Sequence, residues 1–422
     1  MKRTFLTVVC ALSLFARPAG AQVTFEATAA GLKSPDAATR YRAVELLKDA
    51  AYPEAAVPLA AVVTDPDNTV QLDAIAAELN IFLADKITSR KHVALVIEVR
   101  KKISAGAAFD AGPSVLGPRP VPVEVLTALR RAAHDETPQV ALEALYAFGT
   151  LATAPMSSAA RHDLLLAAAP DLAAMLGVPD LAAHLAALQV AARVFARRPQ
   201  DDVADPVLGD AVIGALNDKN TTIRIAAMQA LGAMRYERSV EALTQLFRYY
   251  GHGNLAEGSL EALARIAHPA STAVFTAQLG GKNALLKLIA VEGLARQGDP
   301  ARAADVQTAL AGERNDAVLL AGRFAEALLA KGSLEPIVED LTRDKLHDQA
   351  YAYLLELAPG RSSAFERAAQ DPDTRMRADV ADILGLAGDS AAIAIVEPMQ
   401  KDKDPMVARA AERAAARLHA VR

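Results

Sequence analysis

One stretch of sequence recurs along this chain, and the recurrence limits the possible fold more than any other feature. Residues 65–79 read DPDNTVQLDAIAAEL, 218–232 read DKNTTIRIAAMQALG, 371–385 read DPDTRMRADVADILG and 402–416 read DKDPMVARAAERAAA. Weaker copies lie at 135–149, 281–294 and 315–328. Each opens with a polar, mostly acidic turn and runs into an alanine-rich amphipathic stretch. One such unit cannot bury its apolar face alone, but stacked copies bury it together.

The local physics of a unit follows from its residues. Asp, Asn or Thr in the turn accepts the free N–H groups of the next helix, and Pro66, Pro372 and Pro405 suit a turn or first helical position. Apolar residues at helical spacing, such as Ile225, Met228 and Leu231, define a buried face. Glycine closes helices at Gly298 and Gly388, each followed by Asp. A shorter second helix is expected over 239–250 and 391–400. Leu231, Leu263, Leu294, Leu328, Leu355 and Leu384 serve as anchors at a spacing of about 31 residues. Alanine fills 94 of 422 positions, aromatics make up 5% and tryptophan is absent, a composition suited to helices and poor for a β-sandwich. The predicted fold class is all-α: an α-solenoid, a right-handed superhelix of stacked antiparallel helix pairs of HEAT-like or armadillo type.

The best copies, 218–232 and 371–385, place an apolar residue and Arg early in the helix (Ile223-Arg224, Met376-Arg377) and Leu-Gly at its end (Leu231-Gly232, Leu384-Gly385). This unit resembles the short HEAT-like repeat of phycobilisome-lyase-type proteins. The resemblance covers most of the chain and implies ten or eleven units. It also brings analogies with bilin lyases and with di-iron hydroxylases that hold iron through His-Glu pairs. No His-Glu dipeptide occurs here, and the eight histidines are scattered singly.

Residues 1–21 have the layout of a secretory signal: Lys2 and Arg3, an apolar stretch over 4–16, then Ala19-Gly20-Ala21 as a cleavage site. The expected mature chain lacks cysteine, because Cys10 lies inside the signal, so disulfides and thiolate metal sites are excluded from it. It carries 42 basic against 50 acidic residues, net −8, which argues against sequence-independent nucleic-acid binding. No segment is expected to remain inserted in a membrane after cleavage. Export directs the chain to the periplasm or the extracellular space. The expected organisation is signal peptide 1–21, degenerate HEAT-like repeats 22–103, a Pro/Gly-rich inserted loop 104–122, and a repeat array over 123–422 with a C-terminal capping helix.

The inserted loop holds Pro113, Pro118, Pro120 and Pro122, which are expected to forbid a helix across it. Phe109, Val115, Leu116 and Arg119 make it a candidate partner-binding loop or a flap over the solenoid groove. A second candidate contact site is Arg248, Tyr249, Tyr250 and His252, where Gly-His-Gly replaces a capping acid. The motif arginines Arg42, Arg224, Arg377 and Arg409 are expected to pair with acids of neighbouring turns. Arg409, Arg413 and Arg417 are expected to form a polar cap on the end of the stack.

No nucleophile elbow, phosphate loop or metal-ligand cluster is present. No catalytic residue, metal or cofactor is therefore expected. The function expected first is a non-catalytic exported scaffold that binds a protein or peptide through its concave face, the inserted loop, or both. A bilin-lyase-like or hydroxylase-like enzyme and an accessory subunit of a cell-envelope complex are the alternatives.

Overall fold

The computed structural model describes residues 24–84, 104–112, 116–196 and 204–421. The expected signal segment lies outside the described residues, as does Val115. Helices come in pairs: α1 (Phe25–Gly31) with α2 (Ala37–Ala50), α3 (Ala56–Ala60) with α4 (Asn68–Phe82), and α6 (Val123–Ala132) with α7 (Pro138–Leu151). The pairs α8 (Ser158–Met175) with α9 (Leu181–Phe195) and α10 (Pro206–Ala215) with α11 (Thr221–Met234) follow. Next come α12 (Val240–Tyr250) with α13 (Asn254–Ile266), α14 (Thr272–Leu279) with α15 (Ala284–Gln297), and α16 (Ala303–Leu310) with α17 (Asp316–Leu329). The C-terminal units are α18 (Glu335–Glu339) with α19 (His347–Leu357), two 3₁₀ turns at 362–365 and 368–370 with α20 (Thr374–Ala387), and α21 (Ile393–Met399) with α22 (Pro405–Ala420). The extra helix α5 (Ala105–Asp110) belongs to no pair. No strand occurs among the described residues, only one isolated bridge between Leu83 and Leu116.

The second helices form a continuous row from α2 to α22, each packed on its neighbour. The protein is an all-α solenoid. Most second helices start at a side-chain cap: Asp36, Asp67, Asp180, Asn220, Asn283, Asn315, Asp373 and Asp404 each accept from backbone N–H groups one or two residues inside the helix. Gly298 and Gly388 close α15 and α20 at φ 70° and 74°, a conformation that a side chain would strain.

A ladder joins successive units. Arg377, four residues after the cap of α20, donates to both oxygens of Asp402 at 2.8 and 2.9 Å. Asp402 also accepts from the N–H of Asp404, the cap of the next long helix. Arg40 repeats this with Asp65, which accepts from the N–H of Asp67. Gln71 with Asp135 and Lys287 with Glu313 occupy the same register. The expected ladder exists, but two of its expected members were misplaced. Arg42 is exposed and the register belongs to Arg40; Arg409 lies one residue past it and donates to Pro405 of its own helix.

The core is apolar and continuous, with Phe148, Leu231, Leu294 and Leu384 each at most 1% exposed. All four stand eleven residues after the cap of their helix. Leu328 and Leu355 do not anchor their units, because α17 and α19 turn Phe324 and Leu354 inward instead. Glu78 holds the anchor register of α4. It is fully buried, and neither carboxylate oxygen has a hydrogen-bond partner.

Candidate binding surface on the inner helix row

Side chains of units two apart meet only on the inside of a curve. Arg296 of α15 passes over the Phe324 ring of α17, 5.2 Å from its centroid, and reaches Glu356 of α19 at 3.0 Å. The face of the second helices that carries these residues is therefore the inner face. Glu292, one turn before Arg296, binds it at 3.1 Å and accepts from the Tyr353 hydroxyl at 2.5 Å. Tyr353 stacks on Phe324 with ring centroids 4.3 Å apart. Burial opposes the charge of Arg296, but the carboxylates of Glu356 and Glu292 outweigh it and hold its pKa above the ordinary value. Burial, then the nearby Glu292 charge, pushes the Tyr353 hydroxyl well up. This stretch is closed by its own ion pairs.

The N-terminal stretch of the inner face is closed differently, by α5. Glu143 of α7 accepts from the Ala105 N–H at 2.6 Å. Arg193 of α9 donates to the Phe109 carbonyl and places its guanidinium 3.4 Å from the centroid of the Phe109 ring. The ring also tilts against Tyr146, centroids 5.2 Å apart. Gly149 makes this possible: a Cβ there would come within 2.8 Å of the Phe109 ring and 2.7 Å of Val190. The Tyr146 hydroxyl lies 3.1 Å from Gln189 and ties α7 to α9 beneath the segment.

Leu116 ends the excursion. Gly117 donates to the Phe82 carbonyl at 2.8 Å, and Arg417 of α22 donates to the Leu116 carbonyl at 2.9 Å. Asp382 of α20 sits 3.3 Å from Arg413 and 3.9 Å from Arg417. Burial raises the Asp382 pKa, only partly offset by these arginines, and burial lowers that of Arg417. Between the two closed stretches, α11 and α13 present exposed Gln229 and an exposed Arg265 paired with Glu261 at 3.0 Å.

The expected site residues fall into separate places. Phe109 and Leu116 are buried at 4% and 2% exposure against this chain's own helices, so they are not presented to solvent as a partner-binding loop would present them. Arg119 is exposed beyond them. The prolines do not exclude a helix from 104–122, because α5 ends at Asp110, before Pro113, and Ser104 caps it. Arg248, Tyr249 and His252 are exposed at the end of α12, Tyr249 at 81%. Tyr250 turns inward and accepts from Arg224 at 2.6 Å, which fills the ladder rung left without an acid by Gly251. Arg417 is buried and does not cap the stack; of the three terminal arginines, Arg409 alone is fully solvent-facing.

Glu143 and Arg193 were not singled out from the sequence. Their only local signal is polarity in otherwise apolar helices, and the chain that meets them is 38 and 84 positions away. Among the described residues no three His, Cys, Asp or Glu side chains converge as metal ligands, and no helix is long and apolar enough to cross a membrane.

No family model and no curated protein matches this chain. Among solved structures, an engineered protein is 16% identical, covers 94% of this chain and 98% of its own, and has a TM-score of 0.42. A designed armadillo repeat protein in complex with the peptide (KR)4 is 17% identical over 57% of this chain and 98% of its own, TM-score 0.39. A second designed armadillo repeat protein is 17% identical over 64% of this chain and 98% of its own, TM-score 0.37.

Proposed function

We propose that this chain is an exported, non-catalytic scaffold of HEAT-like repeats that binds a protein or peptide partner along its inner helix row, in the periplasm or outside the cell. One observation carries the reading. The inner row already holds a peptide segment, its own, through side chains directed at main-chain groups: Glu143 on the Ala105 N–H, Arg193 on the Phe109 carbonyl and Arg417 on the Leu116 carbonyl. The curvature of a solenoid creates an extended concave surface suited to a bound segment, and short helical ligands dock in such grooves. The open stretch at Gln229 and Arg265 is where a partner would enter.

The test is site-specific photocrosslinking in the native envelope. A crosslinker at Gln229 or Arg265 is expected to trap a discrete partner, whereas one at Glu241 on the outer helix α12 traps none. Equal trapping at all three positions, or trapping at Glu241 alone, would remove the inner row from consideration. A chain that keeps its N-terminal segment and stays in the cytosol would remove export.

A further inference from the structure

We propose that residues 104–112 are a displaceable internal ligand: they occupy the inner face of α7 and α9 in place of a partner, and the partner is a short helical peptide of the same pattern. This rests on the reading of the inner row as a binding surface and adds the class of ligand.

The segment is attached as a ligand is. It belongs to neither helix row. It buries only Ala105, Ala108 and Phe109, while Ala107 and Asp110 face solvent. Its first amide is held by a foreign carboxylate, Glu143 at 2.6 Å, and its last turn by a foreign guanidinium, that of Arg193. The aromatic ring lies in a slot made by Tyr146, Gly149 and Arg193, and that slot needs the missing Cβ of Gly149. Small residues at the first and fourth positions let the helix lie flat on α7, and the fifth supplies the ring. These are the recognition elements: a free helical amide, two small residues and one aromatic.

The far end is built differently. Leu116 is buried, paired to Phe82 through Gly117, and fixed by Arg417 from the opposite end of the chain. Release of 104–112 therefore leaves Leu116 as an anchor, and the displaced segment stays near its slot. A tethered ligand competes at an effective concentration of about 1 mM. A partner peptide must exceed that competition, which sets a threshold for occupancy.

The experiment uses the full mature chain with 105–112 replaced by eight Gly and Ser residues, and a fluorescein-labelled peptide of sequence SAGAAFDAG. Anisotropy is expected to saturate with the variant, to be at least tenfold weaker with the unaltered chain, and to be lost when Arg193→Ala is added to the variant. Equal binding to both chains, or none to a variant that keeps the parent circular dichroism, overturns the proposal. Where the replacement does not fold, Phe109→Ala in the full chain is followed by hydrogen exchange. Protection lost over 105–111 alone supports a displaceable segment. Protection lost through α7 and α9 as well makes the segment part of the core and overturns it. The test needs only the purified chain, so its failure is separable from failure of the crosslinking, which reads a native partner.

Discussion

Arg417, near the end of the last helix, donates to the carbonyl oxygen of Leu116, 301 positions earlier. The contact joins the C-terminal unit to the segment that lies on the inner face near the N-terminus. The last unit of the superhelix therefore comes within hydrogen-bond distance of the segment between the second and third helix pairs, and this chain's own groups border the inner surface there. Arg296 and Glu356 bridge two units further along, and between these contacts α11 and α13 carry the exposed Gln229 and Arg265.

The ladder is expected to be worth measurable stability. Arg377→Ala removes paired donations to Asp402 and two further donations to the carbonyls of Asp371 and Pro372. The expected loss is about 1–3 kcal/mol, read by urea denaturation. Arg42→Ala, which falls outside the ladder, is expected to change stability by less than about 0.5 kcal/mol. Equal effects would show that the ladder is decorative.

Glu78 is expected to be a destabilising residue. It fills the anchor register held by Leu231, Leu294 and Leu384, and it does so without a hydrogen-bond partner. Burial pushes its carboxyl well above the usual range. A raised folded-state pKa means the folded chain holds the proton more tightly, so stability falls as pH rises from the ordinary carboxylate range through the folded value. Glu78→Leu is expected to raise stability at pH 8 by about 1–3 kcal/mol and by less at pH 5. A variant less stable than the parent at pH 8 would show that the carboxylate has a role.

Glu313 titrates in the opposite sense. The hydrogen bond from Lys287, then those from the Asn315 and Arg314 amides, hold its carboxyl down to about 2. A depressed carboxylate contributes stability above its unfolded pKa, and that contribution is lost as pH falls through the folded value. The window is thus from the ordinary Glu range down to about 2. Lys287→Met is expected to move the Glu313 titration upward, followed by carboxyl carbon chemical shifts. An unmoved titration would assign the depression to the backbone amides alone.

Two glycines separate packing from propensity. A Cβ on Gly385 of α20 would come within 2.6 Å of the Ala414 backbone in α22, so Gly385→Ala must push the two helices apart. The expected cost is about 1–3 kcal/mol. Gly214 of α10 meets nothing within 4 Å, and Gly214→Ala is expected to stabilise by about 0.4–1 kcal/mol. Thermal melts of the two variants should move in opposite directions.

The repeat, its caps and its helix pairs were determined by the sequence alone. Asp36, Asn220, Asp373 and Asp404 act on amides two or three residues away, so a local reading suffices. The same regularity contains the ladder, since Arg40 and Arg377 stand four residues after their caps and their acids two residues before the next. It also contains Glu78, visible once each helix is numbered from its cap. The candidate surface is different in kind. Glu143, Arg193 and Arg417 meet Ala105, Phe109 and Leu116 across 38, 84 and 301 positions. These distances are set by the curvature of the whole stack, to which each unit adds a small rotation. No single unit encodes that sum. The tertiary structure alone therefore decided that Phe109 and Leu116 face inward, that Arg417 reaches Leu116, and that the inner row already holds a segment of its own chain.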